Sequence, residues 1–425
     1  MTPMPTIKAH HHNSLYLVVA LIMIFMTLIL ALQPLYLKNV LQLGRENAGF
    51  VNSNIQVITE LVDLLFVGYL GYLSDRFGRI PVMRYGFLLA GWTALLAPFS
   101  LELGLLFGIN GLALFYLSRA VISIGSTAVW PQLATLAGDY SDVKNRPALL
   151  AKVGFMMAFG ATLVYAILLQ LPRHAGVVPV MFLPAIIAFW GAWLTRNKML
   201  EVATQTREKK FPLKTVINLV KEKRALRLSF LSAFSSRNDM VLVGLFLMTW
   251  FIYYSDLMQN VDHNQAASKA GLVIGFIGAV VLVTIRLWGY VIDRVGRITT
   301  LTIGLALSGI GFVSLGMVVD PLSWWPYVPA VFIGLGQAAC LLSSQTLALD
   351  LSPEKIRGSV MGVFNTVGII GIIFFLQVGG LLFDWVSPTA PFILTGAANF
   401  LIMAYGLLVM KLEPEEGGSP LYDEL

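Results

Sequence analysis

Gly71-Tyr72-Leu73-Ser74-Asp75-Arg76-Phe77-Gly78-Arg79-Ile80 is a charged, glycine-punctuated break between two long apolar runs. It returns as Gly289-Tyr290-Val291-Ile292-Asp293-Arg294-Val295-Gly296-Arg297-Ile298, with seven of the ten positions identical. The second copy lies 218 residues further along a chain of 425. Self-similarity at a fixed offset reads as two similar halves. In each copy the glycines permit a tight turn and the charges require water. Apolar segments on both sides place that water at a membrane surface.

Hydrophobic residues make up 57% of the chain and charged residues 12%. A soluble domain carries roughly 25% charged residues, so this composition belongs in a bilayer. Apolar runs of roughly 20 residues, the length that crosses a bilayer, fall near 15–37, 50–73, 81–103, 109–137, 148–170, 177–195, 228–254, 269–292, 298–319, 326–350, 359–383 and 388–411. The first run is long enough to span and is followed by no cleavage pattern, so it reads as a retained helix and not a signal peptide. The single cysteine, Cys340, excludes an internal disulfide. Nucleic acid is excluded as a partner despite the net charge of +6, because the basic residues sit between apolar runs. Membrane lipid is the partner that fits them.

A second motif repeats as well. Asp139-Tyr140-Ser141 with Arg146 follows the fourth run, and Asp350-Leu351-Ser352 with Arg357 follows the tenth, at an offset of 211. These acids and bases lie on the same side as the Asp75 and Asp293 loops. Together they are candidates for a charge network at the cytoplasmic surface. Helix capping by Asp and Ser would produce the same residues.

The pattern Gly-x-x-x-Asp-Arg-x-Gly-Arg, present twice at half-chain spacing, resembles the signature loops of the major facilitator superfamily. The resemblance covers almost the whole chain. It implies an all-α membrane protein of twelve transmembrane helices in two six-helix, pseudo-symmetric bundles. Residues 1–195 would form the first bundle, 196–227 a cytoplasmic linker, 228–411 the second bundle and 412–425 a cytoplasmic tail. It also implies secondary active transport by alternating access, powered by a proton or other ion gradient, with no bound cofactor and no required oligomer. In that family such loops latch the halves, a role that would fall on Asp75, Arg76, Arg79, Asp293, Arg294 and Arg297, joined here by Asp139, Arg146, Asp350 and Arg357.

Orientation follows from Lys and Arg. With both termini cytoplasmic, the inner segments hold 22 of the 29 basic residues, and the outer loops hold only Lys38, Arg45, Arg173 and Lys269. That bias is the positive-inside rule. Single cysteines at Gln205 and at Gln259, in a Cys340→Ala background, are expected to react with an impermeant maleimide from the inside and the outside respectively. Labelling of the Gln205 position from outside intact cells would reverse the orientation.

The second run carries a polar stripe. Asn52, Gln56, Glu60 and Asp63 are spaced four, four and three apart, so they share one helical face. Glu60 and Asp63 lie roughly 22 and 18 Å from the Asp75 break at about 1.5 Å per residue, inside the hydrocarbon layer. Polar stripes at that depth face a water-filled path or other polar groups. Two carboxylates three residues apart repel when both are ionised. At least one therefore holds a proton near neutral pH unless a cation is close, which is the profile of a proton-coupling site. The same two acids are the candidates for a metal site.

Arg119, on the fourth run, supplies a cation at similar depth. The stretch Arg119 to Gly125 resembles the family's fourth-helix motif with one glycine of the usual two. Ser126 and Trp130 are candidates to line a cavity below it, and Pro131 predicts a kink. In the seventh run, Arg237 and Asp239 are further candidates for proton coupling or its counter-charge; they lie two residues apart and point to different faces. Gln337 and Ser344 give the tenth run an uncharged polar lining.

Three function classes remain in view. The first is a proton-coupled transporter of a small solute, or of a transition-metal cation of the iron type. The second is a non-transporting sensor or partner subunit on the same fold. The third, an intramembrane or ATP-driven enzyme, lacks the nucleophile elbow, zinc and Walker motifs it would need. The fifth run has no Gly-Pro-Gly-Gly pattern, so the direction of transport stays open. The tract His10-His11-His12 is a weak metal-binding signal. A bacterial inner membrane is the expected location.

Overall fold

The computed structural model describes residues 7–141, 146–202, 213–236, 239–258, 261–353 and 356–413. Twelve helical spans are long and apolar enough to cross a membrane. They are α1 (Ala9–Asn39), α2 (Arg45–Phe77), α3 (Arg79–Phe107), α4 (Gly111–Asp139), α5 (Leu149–Ala175), α6 (Val177–Lys198), α7 (Arg224–Leu257), α8 (His263–Val295), α9 (Arg297–Gly316), α10 (Tyr327–Asp350), α11 (Arg357–Trp385) and α12 (Ala390–Leu412). All twelve apolar runs of the sequence are therefore helices. Between α6 and α7 a helix at Leu213–Glu222 rests Val216 against Phe230 and Phe364.

The signature breaks are tighter than loops. Gly78 alone separates helices that end at Phe77 and begin at Arg79, with φ of +95°. Gly296 does the same between α8 and α9, with φ of +90°. Only glycine takes that backbone without strain. Asp75, Arg76, Asp293 and Arg294 consequently sit in the last helical turn before each glycine, not in loops.

Chain contacts divide the molecule into two units. The first comprises Met1–Glu208 with Phe251–Gly275, and the second Lys209–Trp250 with Phe276–Leu425. In the first unit Leu15 and Phe25 of α1 pack with Phe87 of α3, Leu133 of α4 and Ala188 of α6. In the second, Leu228 of α7 packs with Leu301 and Leu305 of α9, Leu347 of α10 and Val409 of α12. Lipid tails are as apolar as leucine, so membrane helices associate by close van der Waals fit more than by expulsion of water.

That fit is repeated between the units. A Cβ on Gly86 of α3 would stand 2.7 Å from both the Ala128 Cβ and the Gly125 carbonyl of α4. In the second unit a Cβ on Gly304 of α9 would stand 2.7 Å from the Ala339 Cβ, and one on Gly336 would stand 2.6 Å from the Gly304 carbonyl. The offsets are again 218 for Gly86 and Gly304, and 211 for Gly125 with Gly336 and Ala128 with Ala339. Gly125 is therefore a packing residue, whatever its place in the fourth-helix motif.

Several spans are interrupted. At Ala97–Phe99 the α3 helix tightens around Pro98, and the Tyr36 hydroxyl donates to the Pro98 carbonyl at 3.0 Å. This answers a backbone group that lipid would leave unsatisfied. The kink predicted at Pro131 appears as a break after Thr127, with a new helix from Trp130 that holds the proline in its first turn. In α7 a π-helical turn at Val243–Leu247 precedes a last helix at Met248–Tyr254.

Candidate functional site

The polar stripe of α2 meets α4 inside the first unit. Arg119 is buried, and its Nη2 donates to Gln56 Oε1 at 2.8 Å. Gln56 Nε2 in turn donates to Glu60 Oε1 at 3.0 Å. A neutral amide thus stands between the cation and the first carboxylate. Asp63 Oδ1 accepts from the hydroxyls of Ser123 and Thr127, both on α4. Ser123 Oγ also lies 2.9 Å from the Thr59 carbonyl. It has one hydroxyl proton and two acceptors, so it can leave Asp63 without forfeiting a hydrogen bond. Asn52, the first member of the stripe, belongs to another contact: it accepts from Gln33 Nε2 of α1 at 3.2 Å.

The cavity-lining candidates are less concentrated. Ser126 turns its hydroxyl back on the Ile122 and Ser123 carbonyls, and Trp130 packs on the apolar core of the first unit. In α10 both Gln337 and Ser344 are buried, and the Ser344 carbonyl accepts from Ser229 at 2.7 Å. Uncharged polar residues in a membrane helix satisfy neighbouring helices as readily as they line a path, and spacing alone does not separate the two. Arg237 and the side chain of Arg146 lie outside the described residues.

Each unit closes its own charged end. Arg79 pairs with Asp139 in the first unit, and Arg297 pairs with Asp350 in the second. The first pair is drier, at 7% and 24% side-chain exposure against 34% and 45%. It has more company as well: Glu201, just beyond α6, accepts the Ile80 N–H at 2.8 Å. Tyr140 clasps the same segment, its hydroxyl donating to the Leu200 carbonyl at 2.8 Å and accepting the Leu200 N–H at 2.7 Å. Burial pushes the Tyr140 phenol up to about 12, with the nearby Glu201 charge adding to it and the Leu200 hydrogen bond opposing. That clasp therefore keeps its proton throughout the physiological range. Asp75, Arg76, Asp293, Arg294 and Arg357 are exposed, and the Arg294 guanidinium lies 4.2 Å from the centre of the Tyr290 ring.

The sequence reading passed over a third cluster, at the far ends of α1, α7 and α8 and within the first unit. Lys38 Nζ donates to Asp256 Oδ2 at 2.7 Å. His263 Nε2 lies 2.8 Å from Asp256 Oδ1, and its Nδ1 lies 2.7 Å from Asn39 Oδ1. Tyr253 donates to the Leu43 carbonyl at 2.8 Å, and Lys38 lies 4.5 Å from its ring centre. The signal available in the sequence was the presence of ionisable residues at both ends of one short connection. Among the described residues no group of three or more His, Cys, Asp or Glu gathers as a metal site. A metal at Glu60 and Asp63 would have to draw on hydroxyl and amide oxygens.

The model of the Major Facilitator Superfamily matches residues 15–374 and 240–423. The chain belongs to that superfamily. It is a multi-pass membrane transporter and not an enzyme. It is 48% identical over 412 residues to magnetosome protein MamH of Paramagnetospirillum magneticum, covering 97% of this chain and 95% of that one. It is 37% identical over 397 residues to magnetosome protein MamZ of Magnetospirillum gryphiswaldense, covering 92% of this chain and 61% of MamZ. The fold matches the solved structure of the POT family transporter PepTSo at a TM-score of 0.76 and 13% identity, over 98% of this chain and all of that one.

Proposed function

We propose that this transporter is proton-coupled and moves a small solute by alternating access, with Glu60, Asp63 and Arg119 as its coupling centre. The observation that carries the reading is the α2–α4 seam, where Gln56 joins Arg119 to Glu60 and where Ser123 and Thr127 hold Asp63. A proton on Asp63 would free Ser123 to turn to the Thr59 carbonyl. Loss of the proton would bring the hydroxyls back and let the Arg119 field act through Gln56. Both termini and the linker 196–227 would be cytoplasmic, with spans in 1–195 and 228–411 rocking about a site near the bilayer midplane. Reconstituted protein, with a pH dye trapped inside the vesicles, should acidify or alkalinise the lumen when substrate is added.

The magnetosome names of two relatives favour a second reading. A compartment named for magnetism implies a metal, so the cargo would be a transition-metal cation of the iron type and the location a magnetosome membrane instead of the inner membrane. A metal-sensitive dye beside the pH dye separates the two. Luminal quenching by Fe²⁺ without an organic solute would select the metal.

The latch role rests on the repeated pairs of Arg79 with Asp139 and Arg297 with Asp350, flanked by Asp75 and Asp293. Exposed charges of this kind contribute little to stability. They act on the balance of states, where about 1.4 kcal/mol is already tenfold. Asp75→Asn or Asp293→Asn should lower turnover about tenfold with expression unchanged. Wild-type turnover in both variants would remove the role.

A further inference from the structure

A polar cluster on α7, α9 and α12 is separate from the α2–α4 seam. Ser235 and Asp239 of α7, Ser308 of α9 and Asn399 of α12 are all fully buried. Their hydrogen bonds run in series. Ser235 donates to Asn399 Oδ1, Asn399 Nδ2 donates to Ser308 Oγ at 3.0 Å, and Ser308 donates to Asp239 Oδ2 at 3.3 Å. Each hydroxyl in the series gives its one proton to the next member, and the series ends on the carboxyl. Among the described residues, the other carboxyl oxygen, Asp239 Oδ1, has no hydrogen-bond partner. Among the described residues no basic side chain pairs with Asp239.

An ionised carboxylate in such a place is strongly disfavoured without a positive partner. The cluster offers oxygen ligands only and a single negative charge. That composition suits one monovalent cation. A divalent ion would keep a net charge and would seek more carboxylates. Among the described residues, the fully buried Cys340 of α10 is a titratable neighbour of Asp239. One turn beyond Asp239 the helix passes through a π-helical turn at Val243–Leu247. Such turns gather at functional sites.

We propose that Asp239, with Ser308, Asn399 and Ser235 behind it, forms a site in the second unit for one monovalent cation, H⁺ or Na⁺. The site stands independently of the role given to Glu60 and Asp63. Occupation neutralises Asp239 and couples the ion to α7. α7 is therefore tied to α9 and α12 more firmly when the ion is bound.

The test uses the full chain purified in detergent, with protons and Na⁺ as the probes. Thermal unfolding is followed in NaCl against equal choline chloride, and the infrared band of protonated carboxyl groups is followed across pH. A melting temperature that rises with Na⁺ and loses that rise in Asp239→Asn identifies sodium. A carboxyl band that titrates and is missing in Asp239→Asn identifies the proton. Ser308→Ala keeps the carboxyl and is expected to weaken the Na⁺ response about tenfold, or to displace the midpoint of the carboxyl band by about one pH unit. The Glu60→Gln/Asp63→Asn double variant should retain either response, which keeps this test separate from that of the coupling centre. Identical responses in wild type and Asp239→Asn overturn the proposal. If Asp239→Asn does not fold, an unchanged response in Ser308→Ala overturns it instead.

Discussion

Glu60→Gln and Asp63→Asn should each abolish accumulation driven by a pH gradient while exchange of substrate across the membrane continues. An amide at either position imitates the protonated acid. In Asp63→Asn the remaining side-chain oxygen would still accept from Ser123 or Thr127, and in Glu60→Gln the new amide oxygen would still accept from Gln56. The carrier can then cycle loaded but has nothing to release to the low-proton side. In proteoliposomes the accumulation ratio should fall to about one, whereas counterflow should stay near the wild-type rate, because the changes remove coupling and leave substrate binding intact. The metal reading predicts a different split: both variants would lose Fe²⁺ binding, and exchange would stop with it. Wild-type accumulation with wild-type pH dependence in both variants would make the α2 acids structural.

Gly336→Val should be among the most damaging substitutions outside the charged sites. The added side chain would be driven against backbone, at the Gly304 carbonyl and the Ser308 amide, and backbone cannot swing aside as a side chain can. The α9–α10 seam would have to open over its length. Overpacking costs about 1–3 kcal/mol where side chains can give way, and against rigid backbone the loss is expected to reach the exceptional range above about 4 kcal/mol. Gly125→Val should do the same in the first unit, where the Gly86 carbonyl and the Ala90 amide close in on the same face. Gly289→Val is the control, since a Cβ there meets nothing within 4 Å. Gel filtration in detergent should show aggregate for the two seam variants and a sharp peak for the control. A monodisperse Gly336→Val protein would mean that the seam is looser than its spacing implies.

The fold was legible because its signals are long. Twenty apolar residues in a row have few other fates, and a ten-residue repeat at half-chain distance names the symmetry. The α2 side of the polar seam was legible too, because Gln56, Glu60 and Asp63 are conspicuous among apolar neighbours. What answers them was not. Ser123 and Thr127 carry no charge, and small hydroxyl residues occur throughout membrane helices as packing elements. Asn399 and Ser308 are inconspicuous for the same reason, although they complete the shell of an acid that stands out. Lys38 was hidden from Asp256 and His263 by distance along the chain, since two connections that lie far apart in sequence give no hint that they meet. Ser126 and Trp130 went the other way. Their spacing suggested a lining, yet one satisfies its own helix and the other packs into the core.

The inclusion of Phe251–Gly275 in the first unit bears on how the protein is made. Lys38 and Asn39 wait for Asp256 and His263, Leu43 for Tyr253, and Gln170 for Ser268. The backbone at Tyr165 and Ala166 waits for Gly271 and Gly275, which alone allow its close approach. The set of these partners is complete only once the ribosome has passed residue 275. The first six spans are therefore left with one end unfinished while the linker, α7 and the start of α8 are synthesised. A gene cut at the linker would deliver two fragments, the first lacking a piece of its own wall. Co-expression would have to bring that piece back from the second polypeptide before either could mature.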